Sequence, residues 1–261
     1  MNIGLVLSGG GMRGAAHVGA IKALEEQGIS PTHIAGSSVG AIVGALYAYG
    51  YGWKDILKFF KKVNFFDVKK LALNKPGFID AEKFYSNFNE YLIEDNFSFL
   101  KKKLYITGTN ILNGKLKIFK KGELIKPVIA SAAFPGIFAP VKIKNSYYID
   151  GGALNNFPVD AIKSKCDSIV GVYVNGINAI TIQDLKHSHQ VVERAFKLKS
   201  INEDILKFPD CDLMISPNEL NKFGTFDKKN IDQIFEIGYN TTKNKLTTYN
   251  IDKLKFTLKG V

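Results

Sequence analysis

The chain has 261 residues, 46% of them hydrophobic, and a formal net charge of +11. This length and composition suffice for the buried core of one α/β domain. No apolar run approaches the roughly 20 residues of a membrane-spanning helix, and the first residues lack the basic leader of a signal peptide. We therefore expect a single domain over residues 1–261, located in the cytoplasm.

The positive charge comes almost entirely from lysine, because arginine occurs only at Arg13 and Arg194. An excess of basic residues suits nucleic acid, an acidic membrane surface or simple solubility. The sequence has no zinc-finger, RNP or helix-turn-helix pattern, so we expect no nucleic-acid partner. Cys166 and Cys211 lie far apart without metal-type spacing, and we expect both to be reduced, apolar residues.

The chain begins with the pattern of a strand, a glycine-rich loop and a helix. Residues 3–7 are continuously apolar, residues 8–14 are SGGGMRG, and the following helix ends before Gly28. Its apolar face includes His17, which we expect to be a buried, hydrogen-bonded histidine rather than a catalytic one. Three consecutive glycines after a strand leave unhindered amides at a helix N-terminus, which suits a developing oxyanion.

Gly9, Gly11 and Gly14 also match G-x-G-x-x-G, the fingerprint of dinucleotide-binding loops. Such sites need an acidic residue about 20 positions further on, at the tip of the second strand, to bind the ribose. Here the second predicted strand, 32–35, continues into Gly36 and two serines. We therefore set the dinucleotide site aside.

Residues 36–40 are GSSVG and match G-x-S-x-G with Ser38 at the centre. In a nucleophile elbow this pattern turns a strand sharply into a helix and exposes the serine hydroxyl. The flanks agree, because a β-prone run precedes the motif and an uncharged apolar stretch, 39–49, follows it and closes at Gly50. An ordinary glycine-rich turn is the alternative, but the flanks favour Ser38 as a nucleophile.

Residues 53–100 mix aromatic residues with lysine and predict an inserted helical cap, with Asp80 as the N-cap of a helix that carries Phe84. We expect most of these aromatic residues, which include Phe65 and Phe66, to pack the cap onto the core. Some of them could line an acyl pocket.

Residues 101–126 predict a β-hairpin around a two-residue Asn-Gly turn, and they hold eight lysines against one acid, a local charge of +7. The rest of the chain predicts further strands and helices. They are a short helix over 127–136 stopped by Pro-Gly, strands over 147–149, 169–174 and 213–215, helices over 182–206 and 229–243, and an alternating edge strand over 254–258.

A serine nucleophile needs a base, which is usually histidine. Two of the four histidines lie on elements expected to be buried or to precede the elbow, and two lie in a polar helical region without an anchoring acid. Asp150 is the better candidate, because it ends a strand, where α/β proteins place functional groups. As a base it needs a pKa above the roughly 3.9 of free aspartate, which implies partial desolvation. The alternative is an ordinary Asp-Gly turn.

Four motifs in this order resemble those of the patatin-like phospholipases and acyl hydrolases. GGGMRG at 9–14 is similar to the family's oxyanion loop, GSSVG at 36–40 to its elbow, ASAAFP at 130–135 to its proline-terminated helix, and DGG at 150–152 to its catalytic-acid motif. The resemblance covers most of residues 3–175, and the order and spacing of the four motifs make it specific. The cap region matches no fixed pattern, so substrate preference does not follow from the resemblance.

The resemblance implies a three-layer α/β/α sandwich with a mostly parallel central sheet. It implies hydrolysis of carboxylic esters in lipids by a Ser38–Asp150 dyad, through an acyl-enzyme and without a metal or organic cofactor. The oxyanion hole that it implies consists of Gly9, Gly10, Gly11 and Arg13. Acyl transfer by the same dyad and an inactive, lipid-binding regulatory protein remain alternatives.

The expected substrate is a phospholipid or another fatty-acyl ester. The hairpin region, the cap and residues 254–258 could together form a basic face with apolar tips, suited to peripheral contact with an anionic membrane such as the inner membrane surface. The alternative is a solvated coat of lysines that share no face. Headgroup preference and oligomeric state do not follow from the sequence.

Overall fold

The computed structural model of the chain describes residues 1–63, 72, 76–176, 178–185, 187–225 and 228–249. Within these ranges the strands are β1 Ile3–Leu7, β2 His33–Gly36, β3 Lys103–Asn110, β4 Lys115–Phe119, β5 Val141–Ile143, β6 Ser146–Asp150, β7 Ser168–Val172 and β8 Leu213–Ile215. The α-helices are α1 Ala15–Glu26, α2 Val39–Tyr49, α3 Trp53–Lys62, α4 Tyr85–Asn89, α5 Ile125–Ser131, α6 Ser188–Ile205 and α7 Ile231–Thr248.

The strands form one sheet in the order β5-β6-β3-β2-β1-β7-β8, with β4 paired to β3. The neighbours from β3 to β8 in this order are parallel, while the pairs β3–β4, β3–β6 and β5–β6 are antiparallel. All five residues of β1 are buried, as expected of a parallel strand covered on both faces. The predicted, mostly parallel sheet is therefore confirmed.

Helices cover one face of the sheet, and shorter segments cover much of the other. Leu5 and Leu7 belong to the larger cluster of buried apolar residues, together with residues of α1, α2, α3, α5 and α7. Val6, which points to the opposite face, belongs to a smaller cluster that includes Ile162 and, at its margin, Ile201 of α6. This alternation follows from the two-residue period of a strand. The three-layer arrangement is therefore confirmed.

The predicted elements of the first half lie where the sequence patterns place them. Strand β1, helix α1 and helix α2, which ends at Gly50, agree with the predictions within a residue or two. Asp80 accepts a hydrogen bond from the Glu82 amide at 3.1 Å and so caps a 3-10 helix, Ala81–Phe84. This capping role is the one predicted for Asp80.

Strands β3 and β4 form the predicted hairpin, but its loop has four residues, 111–114, rather than two. The Asn110 carbonyl accepts a hydrogen bond from the Gly114 amide at 2.9 Å, and the Asn110 side chain accepts one from the Leu112 amide at 3.0 Å. Because an asparagine side chain can replace a backbone acceptor in a turn, it favours this longer loop.

Two predictions lie outside the described residues, namely the cap residues Phe65 and Phe66 and the edge strand over 254–258. In the described part of the chain, no helix combines the length and apolar content needed to cross a bilayer. Cys166 and Cys211 are free thiols, as predicted, and burial raises their pKa to about 11 and about 12.

Candidate active site

Ser38 lies at the sharp turn between β2 and α2. Its φ of 52° and ψ of −123° form a positive-φ conformation that residues with a side chain rarely adopt. Close backbone contacts enforce the turn: a Cβ on Gly36 would lie 2.4 Å from the Gly40 carbonyl oxygen, and a Cβ on Gly40 would lie 2.1 Å from that of Leu7. The G-x-S-x-G pattern thus corresponds to a strained strand-to-helix turn.

The Ser38 hydroxyl donates a hydrogen bond to Oδ2 of Asp150 at 2.6 Å. The other carboxylate oxygen, Oδ1, accepts a hydrogen bond from the Gly152 amide at 2.7 Å. Asp150 is the last residue of β6, and its amide donates to the Ala133 carbonyl at 2.9 Å. The fold thus brings the predicted nucleophile and the predicted base into direct contact.

The Asp150 carboxyl is buried, with 2% of the residue exposed. Burial raises its pKa to about 7, although the hydrogen bonds from Ser38 and Gly152 act in the opposite direction. A carboxylate with this pKa is a much stronger base than free aspartate, and about half of it is ionised at neutral pH.

The described histidine side chains have other partners. His17 is fully buried, its Nε2 lies 2.8 Å from the Ser8 carbonyl oxygen, and burial lowers its pKa to about 4. His33 begins β2, at the end of the strand away from the elbow, and its ring bonds to Thr32. The prediction that His17 is a buried core histidine is confirmed.

The glycine loop, residues 8–14, borders the same pocket as the serine and the aspartate, and Gly10 and Gly11 line it. The Gly9 amide donates to the Asn156 carbonyl at 3.2 Å, whereas the Gly10 and Gly11 amides have no acceptor among the described residues. These two amides lie at the start of the 3-10 helix that leads into α1. Backbone donors at such a helix start carry partial positive charge, which suits an anionic oxygen.

Arg13 is buried behind this loop, with 1% of the residue exposed. Its Nε donates to the Gly10 carbonyl at 3.1 Å, and its Nη2 donates to Oδ1 of Asn175 at 2.9 Å. A trans peptide is planar, so its carbonyl and the following amide point in opposite directions. By holding the Gly10 carbonyl, the guanidinium therefore also fixes the direction of the Gly11 amide.

A pocket opens beside the serine and combines apolar with polar lining residues. The apolar residues include Val39 and Ile42 of α2, Phe60 of α3, and Phe134 and Phe138. The polar ones include Asn156, Asn175, Glu193 and Lys197. An aromatic residue of the predicted cap region therefore does border the pocket, while Phe84 and Phe88 pack in the core.

Helix α6 presents a stripe of polar residues to the molecule and exposes several apolar residues. The stripe consists of Glu193, Lys197, Ser200 and Asp204, of which the last two are buried. Phe196 faces inward beside it, lines the pocket and packs against Phe134. Val191, Leu198 and Ile205 recur every seven residues and are 50%, 47% and 49% exposed.

The sequence argument gave no role at the site to Ser131, Glu193 and Lys197. The Ser131 hydroxyl accepts a hydrogen bond from the Ser38 amide at 3.0 Å, and the signal for it is that Ser131 is the sole polar residue in the apolar stretch 127–134. Glu193 and Lys197 line the pocket from a helix that carries no motif, so no local signal could have identified them.

A serine at a strand-to-helix elbow, in contact with a buried aspartate and beside unpaired amides and an apolar pocket, has the features of the serine hydrolases. The sequence model of the family described as Patatin-like phospholipase matches residues 5–163. That range includes the glycine loop, the elbow and the DGG motif. The chain belongs to the patatin-like phospholipase family.

Curated relatives agree with this family. Lysophospholipase nte1 of Emericella nidulans is 28% identical over 91% of this chain, and Lysophospholipase NTE1 of Coccidioides immitis is 29% identical over 97% of it. Each match spans 18% of the relative. The chain therefore corresponds to less than a fifth of the length of these relatives.

Solved structures of similar fold include VipD from Legionella pneumophila, with a TM-score of 0.63 at 17% identity over 95% of this chain and 67% of that chain. The type III effector protein ExoU has a TM-score of 0.51 at 16% identity, over 95% of this chain and 53% of that chain. At these identities the likeness concerns the fold.

Proposed function

We propose that the protein hydrolyses a fatty-acyl ester of a phospholipid or lysophospholipid. The observation that carries the proposal is the 2.6 Å hydrogen bond from the Ser38 hydroxyl to the buried Asp150, at a pocket with apolar lining. Membership of the patatin-like phospholipase family and the lysophospholipase relatives support this substrate class.

In the proposed reaction, Ser38 Oγ attacks the ester carbonyl carbon while Asp150 takes the hydroxyl proton. The carbonyl oxygen becomes an oxyanion, which the Gly10 and Gly11 amides stabilise. The C–O bond to the alcohol then breaks, and Asp150 returns the proton to the leaving oxygen. Water, deprotonated by Asp150, attacks the acyl-serine, and the fatty acid leaves as Ser38 recovers its proton.

The remaining parts of the predicted oxyanion hole take different roles in this proposal. Arg13 acts as a positioning residue, because its hydrogen bond to the Gly10 carbonyl orients the Gly11 amide. The Gly9 amide is used by the Asn156 carbonyl, so Gly9 shapes the loop. Phe60, from the proposed cap over residues 53–100, lies where an acyl chain would pack.

Contact with an anionic membrane is part of the proposal. The exposed apolar residues of α6 lie on a helix that also lines the pocket. In the predicted hairpin, Lys115 and Lys117 are exposed beside a loop that exposes Leu112. Apolar side chains that enter the interface, together with lysines attracted to anionic headgroups, are the means by which peripheral proteins bind bilayers.

Two neighbouring serines provide the decisive experiment. Ser37 is buried and its hydroxyl has no partner among the described residues, so Ser37→Ala is a matched control for Ser38→Ala. We expect Ser38→Ala to abolish both lysophospholipid hydrolysis and labelling by a fluorophosphonate probe, while Ser37→Ala keeps substantial activity. Equal loss in both variants would mean that the nucleophile is misassigned.

The same acyl-enzyme would also support transfer of the acyl group to an acceptor alcohol. Quantifying free fatty acid against acylated acceptor separates hydrolysis from transfer. Failure of the wild-type protein to label with the probe would instead favour a lipid-binding protein without catalysis.

A further inference from the structure

A charged pair forms part of the pocket lining beside the proposed nucleophile. Glu193 and Lys197 lie one turn apart on α6, both line the pocket, and Lys197 Nζ lies 2.6 Å from Glu193 Oε1. The two side chains are only 15% and 17% exposed. Thr225 also donates a hydrogen bond to Glu193 Oε1. The pair is therefore a largely desolvated feature of the site and not a surface ion pair.

A second cation faces the same carboxylate. The hydrogen bonds of the Arg13 guanidinium go to uncharged oxygens, those of Gly10 and Asn175, and its electrostatic counterpart is Glu193. Among the described residues, Glu193 is the carboxylate whose attraction favours the charged forms of both Arg13 and Lys197.

The pKa values of the two cations reflect their burial first of all. Burial lowers the pKa of Lys197 to about 8, and repulsion from Arg13 adds to the effect while Glu193 opposes it. Burial also lowers the pKa of Arg13 to about 10. A negatively charged ligand group at this wall would offset both effects.

Stability alone does not account for these charges. Replacing a buried ion pair by apolar residues of similar volume is often neutral or stabilising, because desolvation of the ions is costly. Yet Glu193 and Lys197 face the pocket from α6 and are largely shielded from water. The helix therefore places charge where the substrate would lie.

We propose that Lys197 binds the phosphodiester of the substrate's alcohol portion. This proposal rests on the proposed function and adds the group that recognises the headgroup. The phosphodiester of a lysophospholipid lies only a few bonds from the scissile ester, so one pocket can hold both. An ammonium has three donors, of which Glu193 takes one, and the others remain for phosphate oxygens. The apolar lining residues then receive the acyl chain.

The test uses two ligands without a carboxylic ester, so that the proposed acyl hydrolysis cannot consume either of them. One is a short-chain alkyl-ether lysophospholipid, and the other is the alkyl glycerol ether of the same chain, which lacks the phosphate. Dissociation constants are measured by titration calorimetry with the full chain, below the concentration at which micelles form. We expect the wild-type protein to bind the phosphodiester ligand more tightly than the glycerol ether.

Two variants with opposite expected signs distinguish a phosphate-binding residue from a structural ion pair. Lys197→Met should weaken binding of the phosphodiester ligand about 10- to 100-fold, the size of one charge-assisted hydrogen bond, and leave the glycerol ether unchanged. Glu193→Gln should strengthen binding of the phosphodiester ligand, because it removes the negative charge and keeps an acceptor for Thr225. Lys126→Met is the matched control, since Lys126 pairs with Glu123 at the surface.

In turnover, Lys197→Met should raise KM for a lysophospholipid, and it should lower kcat/KM for a lysophospholipid much more than kcat/KM for a neutral short-chain ester. Losses of equal size for both ligands, or weaker phosphodiester binding in Glu193→Gln as well, would assign the pair a structural role and overturn the proposal. Wild-type affinity that does not depend on the phosphate would overturn it too. A protein that binds phosphate as expected but hydrolyses no ester would refute the proposed function and leave this subsite standing.

Discussion

At the scale of single residues, the proposed chemistry depends on a carboxylate that is kept away from water. Asp150 is buried and accepts hydrogen bonds from Ser38 and Gly152, and its pKa is raised to about 7. The hydrogen bonds preserve enough of the ionised form for it to act as a base, while burial makes that form basic. Both effects are needed for proton transfer from a serine.

The pH dependence of turnover follows from this pKa. The ionised carboxylate is the active form, so kcat/KM for a neutral ester should rise with pH, with a midpoint near 7, and reach a plateau above it. Initial rates between pH 5 and pH 9 on an uncharged short-chain ester, in buffers of constant ionic strength, provide the measurement. Asp150→Asn should give a low rate that does not vary over this range. A wild-type kcat/KM that is already at its plateau at pH 5 would show that burial does not control the base.

Arg13 provides a second prediction at this scale. Lysine keeps the positive charge but cannot donate to the Gly10 carbonyl and to Asn175 with one planar group. Arg13→Lys should therefore lower kcat on a neutral ester about tenfold or more through a misdirected Gly11 amide, with little change in KM, since the loss concerns the transition state. Wild-type kinetics in this variant would remove Arg13 from the site.

At the scale of elements, the local motifs were sufficient for one half of the site. Strand β1 runs directly into the glycine loop, and β2, the elbow and α2 form a second continuous stretch. A local sequence pattern is therefore enough to locate each of them. This is why their positions were predictable to within a residue or two.

The structure places Asp150 beside Ser38, although the sequence argument for Asp150 was incomplete. The prediction relied on the rule that functional groups follow the carboxyl ends of parallel strands, yet β6 is antiparallel to β3. Its last residue still reaches the site because β6 pairs only with the final residues of β3, with Asp150 opposite Gly108. Strand direction depends on contacts between distant segments, which one sequence does not reveal.

The polar residues of α6 could not be predicted as part of the pocket. A stripe of Glu193, Lys197 and Asp204 in a polar helix has the same sequence pattern as a solvated face. Only the packing of α6 over the end of the sheet turns this stripe inward. The sequence therefore predicted the helix but not which of its faces borders the pocket.

Helix α5 supports the elbow through a single hydrogen bond, and this contact gives a prediction at the element scale. Ser131→Ala removes the acceptor of the Ser38 amide, and an unpaired buried donor costs about 1–3 kcal/mol. The Tm should fall by at least about 2 °C, and turnover should fall with it because the elbow loosens. Ser37→Ala, which loses a hydroxyl without a described partner, should change neither. Differential scanning calorimetry of both variants makes the comparison, and an unchanged Tm in Ser131→Ala would count against this support.

At the scale of the whole molecule, the net charge of +11 and the exposed apolar residues of α6 bear on the proposed membrane contact. Each lysine near an anionic bilayer contributes about 1 kcal/mol, and salt screens this attraction beyond a Debye length of about 8 Å at physiological ionic strength. Apolar insertion is not screened in this way.

Sedimentation with lipid vesicles tests the membrane contact. The bound fraction should be larger with anionic than with zwitterionic vesicles and should fall as salt rises. Val191→Ser combined with Leu198→Ser should lower it at every salt concentration, whereas Tyr147→Ser, which changes an exposed residue of β6, should not. A bound fraction that responds to neither lipid charge nor salt would support the alternative of a solvated lysine coat.

The backbone of Ser38 has a consequence for the fold as a whole. A non-glycine residue at a φ of 52° and a ψ of −123° stores about 1–3 kcal/mol, and only global unfolding releases it. Glycine adopts this conformation freely, at an entropic cost of about 0.5–1 kcal/mol. Of two variants that both lack the hydroxyl, Ser38→Gly should therefore melt about 2–4 °C above Ser38→Ala. That difference in Tm would measure the stability that the protein loses by keeping a side chain at a position whose backbone conformation favours glycine.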